Sequence, residues 1–142
     1  MLYDEVDDPE ETSPEQLRAD YEAELADVIA AEGVDEVADA SGVDRETVAA
    51  LADGESPRVT VAEAAAILAL DDDTPDADAV KLETRDHLLM GMTTAVLDVD
   101  KIAAEMDDMD AKEIQQKIEG RMEMSLKEFA RLHHFIASQN DR

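Results

Sequence analysis

The chain has 142 residues, of which 38 are acidic and 12 basic, for a formal charge of −26. It has no cysteine, which excludes disulfides and thiolate chemistry. Hydrophobic residues make up 44% but only four are aromatic, so any core must be built from Ala, Val, Leu, Ile and Met. No apolar run approaches the ~18 residues of a membrane span, and Met1–Asp8 lacks the basic and apolar regions of a secretory signal. These features predict a soluble cytoplasmic protein.

The charge is uneven. Residues 1–80 hold 25 acids and three bases (Arg18, Arg45, Arg58), a net of −22, while residues 81–142 hold 13 acids and nine bases, a net of −4. An excess this large resembles the surfaces of proteins from salt-loving archaea. There the Debye length shrinks to about 3 Å near 1 M salt and self-repulsion is suppressed.

Residues 1–12 read as an acidic flexible arm. Ser13-Pro14-Glu15-Gln16 opens a helix, with Ser as cap and Pro at the first helical position. Leu17, Tyr21, Leu25, Val28 and Ile29 share one face of it, and Gly33 ends it. A short helix over 35–41 stops at Gly42, and Asp44 caps a third over 45–53 that ends before Gly54. Thr60 and Glu63 form a capping box for a fourth near 61–70. Residues 71–78, five of them Asp, form an acidic linker.

The plan then repeats. A long helix over 79–97 carries Leu82, Leu88, Leu89, Met92 and Val96, and Asp98 or Val99 starts a short helix reaching about residue 106. Asp110 and Glu113 cap the next, which ends at Gly120. Ser125 and Glu128 form a second capping box, before a helix carrying Leu126, Phe129, Ala130, Leu132, Phe135 and Ile136. No alternating stretch is long enough for a strand, although Val59-Thr60-Val61 is ambiguous. The fold class is therefore all-α. It consists of two tandem, duplicated four-helix units, about eight helices in all, over residues 13–70 and 79–138, with a tail over 139–142.

The repeat is visible in the residues. Val34-Asp35-Glu36-Val37-Ala38 is echoed by Val99-Asp100-Lys101-Ile102-Ala103, Asp44–Gly54 by Asp110–Gly120, and Thr60-Val61-Ala62-Glu63 by Ser125-Leu126-Lys127-Glu128. In residues 34–54 an apolar–x–x–apolar–Ala pattern precedes a glycine turn and a capped helix with Thr47-Val48 and Leu51. This resembles the helix-turn-helix of the phage-repressor (Cro/repressor-like) family. The likeness extends over 34–70, with a diverged copy over 99–136 that has Asp107-Asp108 in place of the glycine turn. The whole acidic chain is also similar to small haloarchaeal proteins of a domain-of-unknown-function type.

The resemblance implies DNA binding, with the second helix of each motif in the major groove. In the first copy Val48, Leu51 and Ala52 face inward. The outward side then offers Glu46, Ala50 and Asp53, with Thr47 at its edge, a poor match to phosphate and base edges. In the second copy Ile114 and Ile118 face inward and Lys112 and Gln116 outward, flanked by Gln115, Glu113 and Glu119. Lys can donate to guanine and Gln can pair with adenine. Lys112, Gln115, Gln116, Lys117 and Arg121 are the DNA-contact candidates.

Met122 and Met124 flank a loop and are the candidates for a partner or dimer contact. His133 and His134 are adjacent on a helix, about 100° apart, and do not converge on one metal; His87 has no evident partner. The linker lacks the spacing and the glycine of a calcium loop. No phosphate loop, dinucleotide motif, nucleophile elbow or HExxH occurs. The expected function is a helix-turn-helix DNA-binding or transcription-associated protein without cofactor, metal or enzymatic activity, acting on double-stranded DNA through its second unit. The alternative is a non-enzymatic protein-interaction or assembly module that keeps the fold without DNA contact.

Overall fold

The computed structural model describes residues 1–106 and 108–141. Among these, the chain forms eight α-helices and no strand: α1 (Pro14–Glu32), α2 (Val34–Ser41), α3 (Arg45–Ala52), α4 (Val61–Leu68), α5 (Ala77–Ala95), α6 (Val99–Glu105), α7 (Ala111–Ile118) and α8 (Leu126–Asn140). Asp107, half of the Asp107-Asp108 turn reading, and Arg142, the last residue of the expected tail, lie outside the described residues.

Local chemistry sets most helix starts. Ser13, Asp76, Asp98 and Asp110 each accept a hydrogen bond from the backbone N–H three residues on. Thr60 with Glu63 and Ser125 with Glu128 form complete capping boxes. Asp44 departs from expectation, since it precedes α3 without a side-chain cap. Gly33 and Gly42 end α1 and α2 at positive φ. Where α5 ends, Val96 takes that role at φ 56°, left-handed backbone that costs a β-branched residue about 1–2 kcal/mol.

The segments before α4 and α8 pair with each other. Val61 N–H donates to the Met124 carbonyl at 2.8 Å, and Leu126 N–H donates to the Val59 carbonyl at 2.7 Å. This single antiparallel bridge, between Thr60 and Ser125, is what becomes of the ambiguous Val59-Thr60-Val61 stretch. The long helices then pack together: α1 contacts α8, and α5 contacts α4 as well as α8. One buried cluster runs from Leu17, Leu25 and Ile29 through Val48 and Ile67 to Ile102, Ile114, Phe129 and Leu132.

Residues 1–12, expected as a loose arm, lie against the body. Leu2 is fully buried, Pro9 is buried in a single 3-10 turn, and the chain's α-amino group pairs with Asp4 and Glu24. His134 Nε2 holds the arm on α8, 2.8 Å from the Pro9 carbonyl and 3.1 Å from that of Thr12. An apolar residue near an acidic terminus thus serves as an anchor.

The buried face of α5 takes in only part of the expected apolar set. Val80, Thr84, Leu88 and Met92 point inward, whereas Leu82, Leu89 and Val96 are exposed. Both stripes have helical spacing. The inward one is workable because the Thr84 hydroxyl donates to the Val80 carbonyl at 2.7 Å, so its own donor is paired.

Candidate functional site

The DNA-contact candidates are not equivalent in space. On α7, Ile114 and Ile118 are buried as expected, Lys112 and Gln115 are exposed and Gln116 is half-buried. Gln115 donates to Glu119 at 3.2 Å. Lys117 does not reach outward. Its side chain is only 9% exposed, and its ammonium pairs with Glu113 at 2.9 Å and with Glu128. Burial opposes that charge, but the two carboxylates outweigh it and hold the ammonium above the ordinary lysine range. Lys117 thus ties α7 to the α8 capping box and is removed from any phosphate-binding role. Arg121 is exposed and lies 3.4 Å from Glu119. On α3, Glu46 and Asp53 face solvent as expected, but so does Ala52, and Arg45 pairs with Asp35.

Of the partner-contact candidates, Met124 is buried, because its carbonyl belongs to the bridge between the two halves and its side chain joins the core. It cannot be an exposed contact. Met122 is 41% exposed. It borders an open groove of about 600 Å³ between the start of α4, the first half of α5 and the α7–α8 turn. Leu82, 47% exposed, faces the same groove, and Phe129 and Leu88 form part of its lining. Lys81, Arg85, Lys117 and Arg121 stand around it with Asp78, Glu119 and Glu123. Arg85 is held by the Glu119 carbonyl at 3.1 Å.

A second feature lies further along the same helix. Residues 87–97 contain no Asp, Glu, Lys or Arg, in a chain that is 35% charged. Within this run Leu89, Met90, Thr93, Thr94 and Val96 are exposed, Met90 by 69% and Val96 by 84%. Leu82 and Leu89, seven residues apart, share one face of α5, and Val96 follows just past its last residue.

A buried polar chain crosses the core on the far side of α5. Tyr21 Oη on α1 lies 2.6 Å from His133 Nδ1 on α8, and His133 Nε2 lies 2.9 Å from His87 Nε2 on α5. Each link uses one proton, so both rings are satisfied when neutral, and two imidazoliums at this distance would set N–H against N–H. Burial, reinforced by the neighbouring His87, lowers His133 to about 4, and burial lowers His87 as well. Burial likewise pushes the Tyr21 phenol up. His87 and His133 border a cavity of about 360 Å³ with Glu5, Val6 and Asn140. Among the described residues no group of three or more His, Asp or Glu side chains is placed to hold a metal ion. The partner that His87 lacked in the sequence comes from 46 residues away, and no local signal announces it.

Comparison with known families decides the ancestry. The chain matches, over residues 17–139, a family described as a family of unknown function, DUF5791. The chain belongs to the DUF5791 family. No curated protein and no solved structure matches it. The likeness to the phage-repressor family is therefore corrected, since the match covers both halves and is to a different family. The reason is physical. Val37, Val48 and Leu51 are core positions, and Gly42 is a turn at positive φ. Residues of this kind make any two short helices meet at a corner, whatever the protein binds. For this DUF5791 member, as far as membranes are concerned, no described helix is long and apolar enough to cross one.

Proposed function

We infer that this chain is a non-enzymatic protein-interaction and assembly module, built as a fused pair of four-helix units that binds through α5. The observation that carries the reading is the set of exposed apolar side chains on α5 and at its end, most of them in its charge-free second half. Leu82, Leu89, Met90 and Val96 are exposed on a molecule of charge −26, and Leu82 opens with Met122 onto the adjoining groove. Apolar side chains gathered on one helix face of so charged a protein favour a partner that covers them. The partner chemistry is a helix with an apolar stripe, a mode that uses anchors at helical spacing.

Contact of α7 with duplex DNA is the second reading. It is favoured by exposed Lys112, with Gln116 one turn on, and opposed by the loss of Lys117 to two carboxylates and by Glu119 beside the face. The two are separated with the full chain in molar KCl, using cross-linking mass spectrometry and a duplex DNA library. Intermolecular cross-links that cluster on α5 and vanish in Leu89→Ser/Met90→Ser support the interaction module. Enrichment of a DNA sequence that is lost in Lys112→Ala/Gln116→Ala and kept in the α5 variant overturns it.

A further inference from the structure

We propose that the groove between α4, α5 and the α7–α8 turn binds a small amphipathic anion, an apolar body carrying one carboxylate, with Arg85 holding the carboxylate. This goes beyond the interaction reading, which rests chiefly on Leu89, Met90 and Val96, and either can fail without the other.

Charge around the groove is unusual for this chain. Four of its 12 basic residues, Lys81, Arg85, Lys117 and Arg121, line the groove, on a molecule of charge −26. Three of them are paired. Lys81 lies 3.2 Å from Asp78, Lys117 pairs with Glu113 and Glu128, and Arg121 lies 3.4 Å from Glu119. Arg85 differs, because among the described residues it pairs with no carboxylate. Its Nη1 donates to the Glu119 carbonyl at 3.1 Å, at the C-terminal end of α7. That bond stations the guanidinium beside the Gly120 turn, where a Cβ would stand 3.8 Å from Nη1, and it uses one of several N–H donors. The remaining donors belong to a half-buried side chain that lines the groove. A planar fork fixed in this way suits a carboxylate.

The rest of the wall is apolar. Leu82, Leu88, Ile118, Met122, Met124 and Phe129 border the same space. Leu88, Ile118, Met124 and Phe129 are core residues, so this part of the wall is already formed. Leu82 and Met122 remain 47% and 41% exposed, and the apolar body of a ligand would cover them. The volume of about 600 Å³ falls within the roughly 300–1,000 Å³ of small-molecule sites.

The same charges limit the ligand. Asp78, Glu119 and Glu123 also stand on the groove. A nucleotide or polyphosphate would set its further negative charges against these carboxylates. One anionic group is what Arg85 can match.

Methionine-methyl NMR of the full chain in molar KCl tests this, with octanoate as the probe, 1-octanol as its uncharged counterpart and circular dichroism as the control for folding. Octanoate is expected to bind in the millimolar range. It should shift the Met122 and Met124 methyls and leave that of Met90, exposed outside the groove, unmoved. Arg85→Gln should weaken octanoate about tenfold or more and leave octanol unchanged. Arg85→Lys keeps the charge without the planar fork and should fall between the two; it carries the test if the glutamine variant does not fold. Octanoate that moves no groove methyl, or moves Met90 as much as Met122, overturns the proposal. So does equal octanoate binding by the parent and a folded Arg85 variant, or a variant that weakens octanol as much as octanoate.

Discussion

Lowering the pH should destabilise the chain through His133 in a window that the structure defines. The ring is held between Tyr21 and His87 with burial opposing its charge, and its value falls from 6.5 to about 4. The folded value lies below the unfolded one. Above pH 6.5 both states are neutral and nothing is lost. Between 6.5 and about 4 the unfolded chain takes up a proton that the folded chain refuses, so stability falls as pH falls. The gap of about 2.5 units, at 1.36 kcal/mol each, gives a loss on the order of 3 kcal/mol. His87 shifts in the same direction and adds to it. The groups facing the pair are Tyr21 on α1, His134 on α8, and Asp4 and Glu5 on the arm; the two carboxylates favour the proton and moderate the loss. Acidification also relieves the self-repulsion of the −26 charge and would mask the effect. The assay is therefore comparative: urea unfolding followed by circular dichroism in molar KCl, for the chain and for His133→Leu, from about pH 7.5 to about pH 4. The difference in unfolding free energy between the two should shrink by about 3 kcal/mol over that range. A difference that stays constant with pH would refute the buried neutral chain.

Three other outcomes follow from the packing. Gly91→Ala should cost about 1–3 kcal/mol by urea unfolding, despite the better helix former, because a Cβ there would lie 2.7 Å from Ile136 Cγ2 where α5 crosses α8; an unchanged midpoint would show that the crossing is slack. Thr60→Ala and Ser125→Ala should each cost about 1 kcal/mol, and less than additively if the bridge couples them; strict additivity in a double-mutant cycle would uncouple the two caps. Helix content by circular dichroism should rise steeply from dilute buffer to molar KCl, as screening relieves the −26 charge; full helicity in dilute buffer would remove the argument for salt adaptation.

What was legible in the sequence was local. Ser13-Pro14, Thr60 with Glu63, and Ser125 with Glu128 act within one helical turn, so their residue types suffice to place α1, α4 and α8. Non-local contacts were illegible. Tyr21 and His133 are 112 residues apart and meet because α1 crosses α8. Met124 was read as a loop contact because its burial depends on a bridge to Val61. Lys117 looked like a phosphate ligand until Glu128, on another helix, took its charge. For α5 the sequence offered Leu82, Leu88, Leu89, Met92 and Val96 without dividing them between faces; only Leu88 and Met92 are buried, and a threonine whose hydroxyl is satisfied by its own helix completes the inner face.

That inner face also distinguishes α5 from α1. α1 and α5 are both 19 residues long and hold corresponding places in the helix order. α1 buries Leu17, Tyr21, Leu25, Val28 and Ile29 and leaves its glycine to close the helix. α5 buries two large apolar side chains with a valine and a threonine, and ends on a strained valine. If apolar burial within the monomer were the only demand on α5, Leu82 and Leu89 would be better placed on its inner face, at about 1.5–3 kcal/mol for each fully buried. Their outward placement, beside an eleven-residue stretch without charge, leaves hydrophobic free energy unused in the single chain. Association is the step that would recover it. On the proposed reading the binding surface is α5, away from α3 and α7, beside which Glu46, Asp53 and Glu119 are exposed.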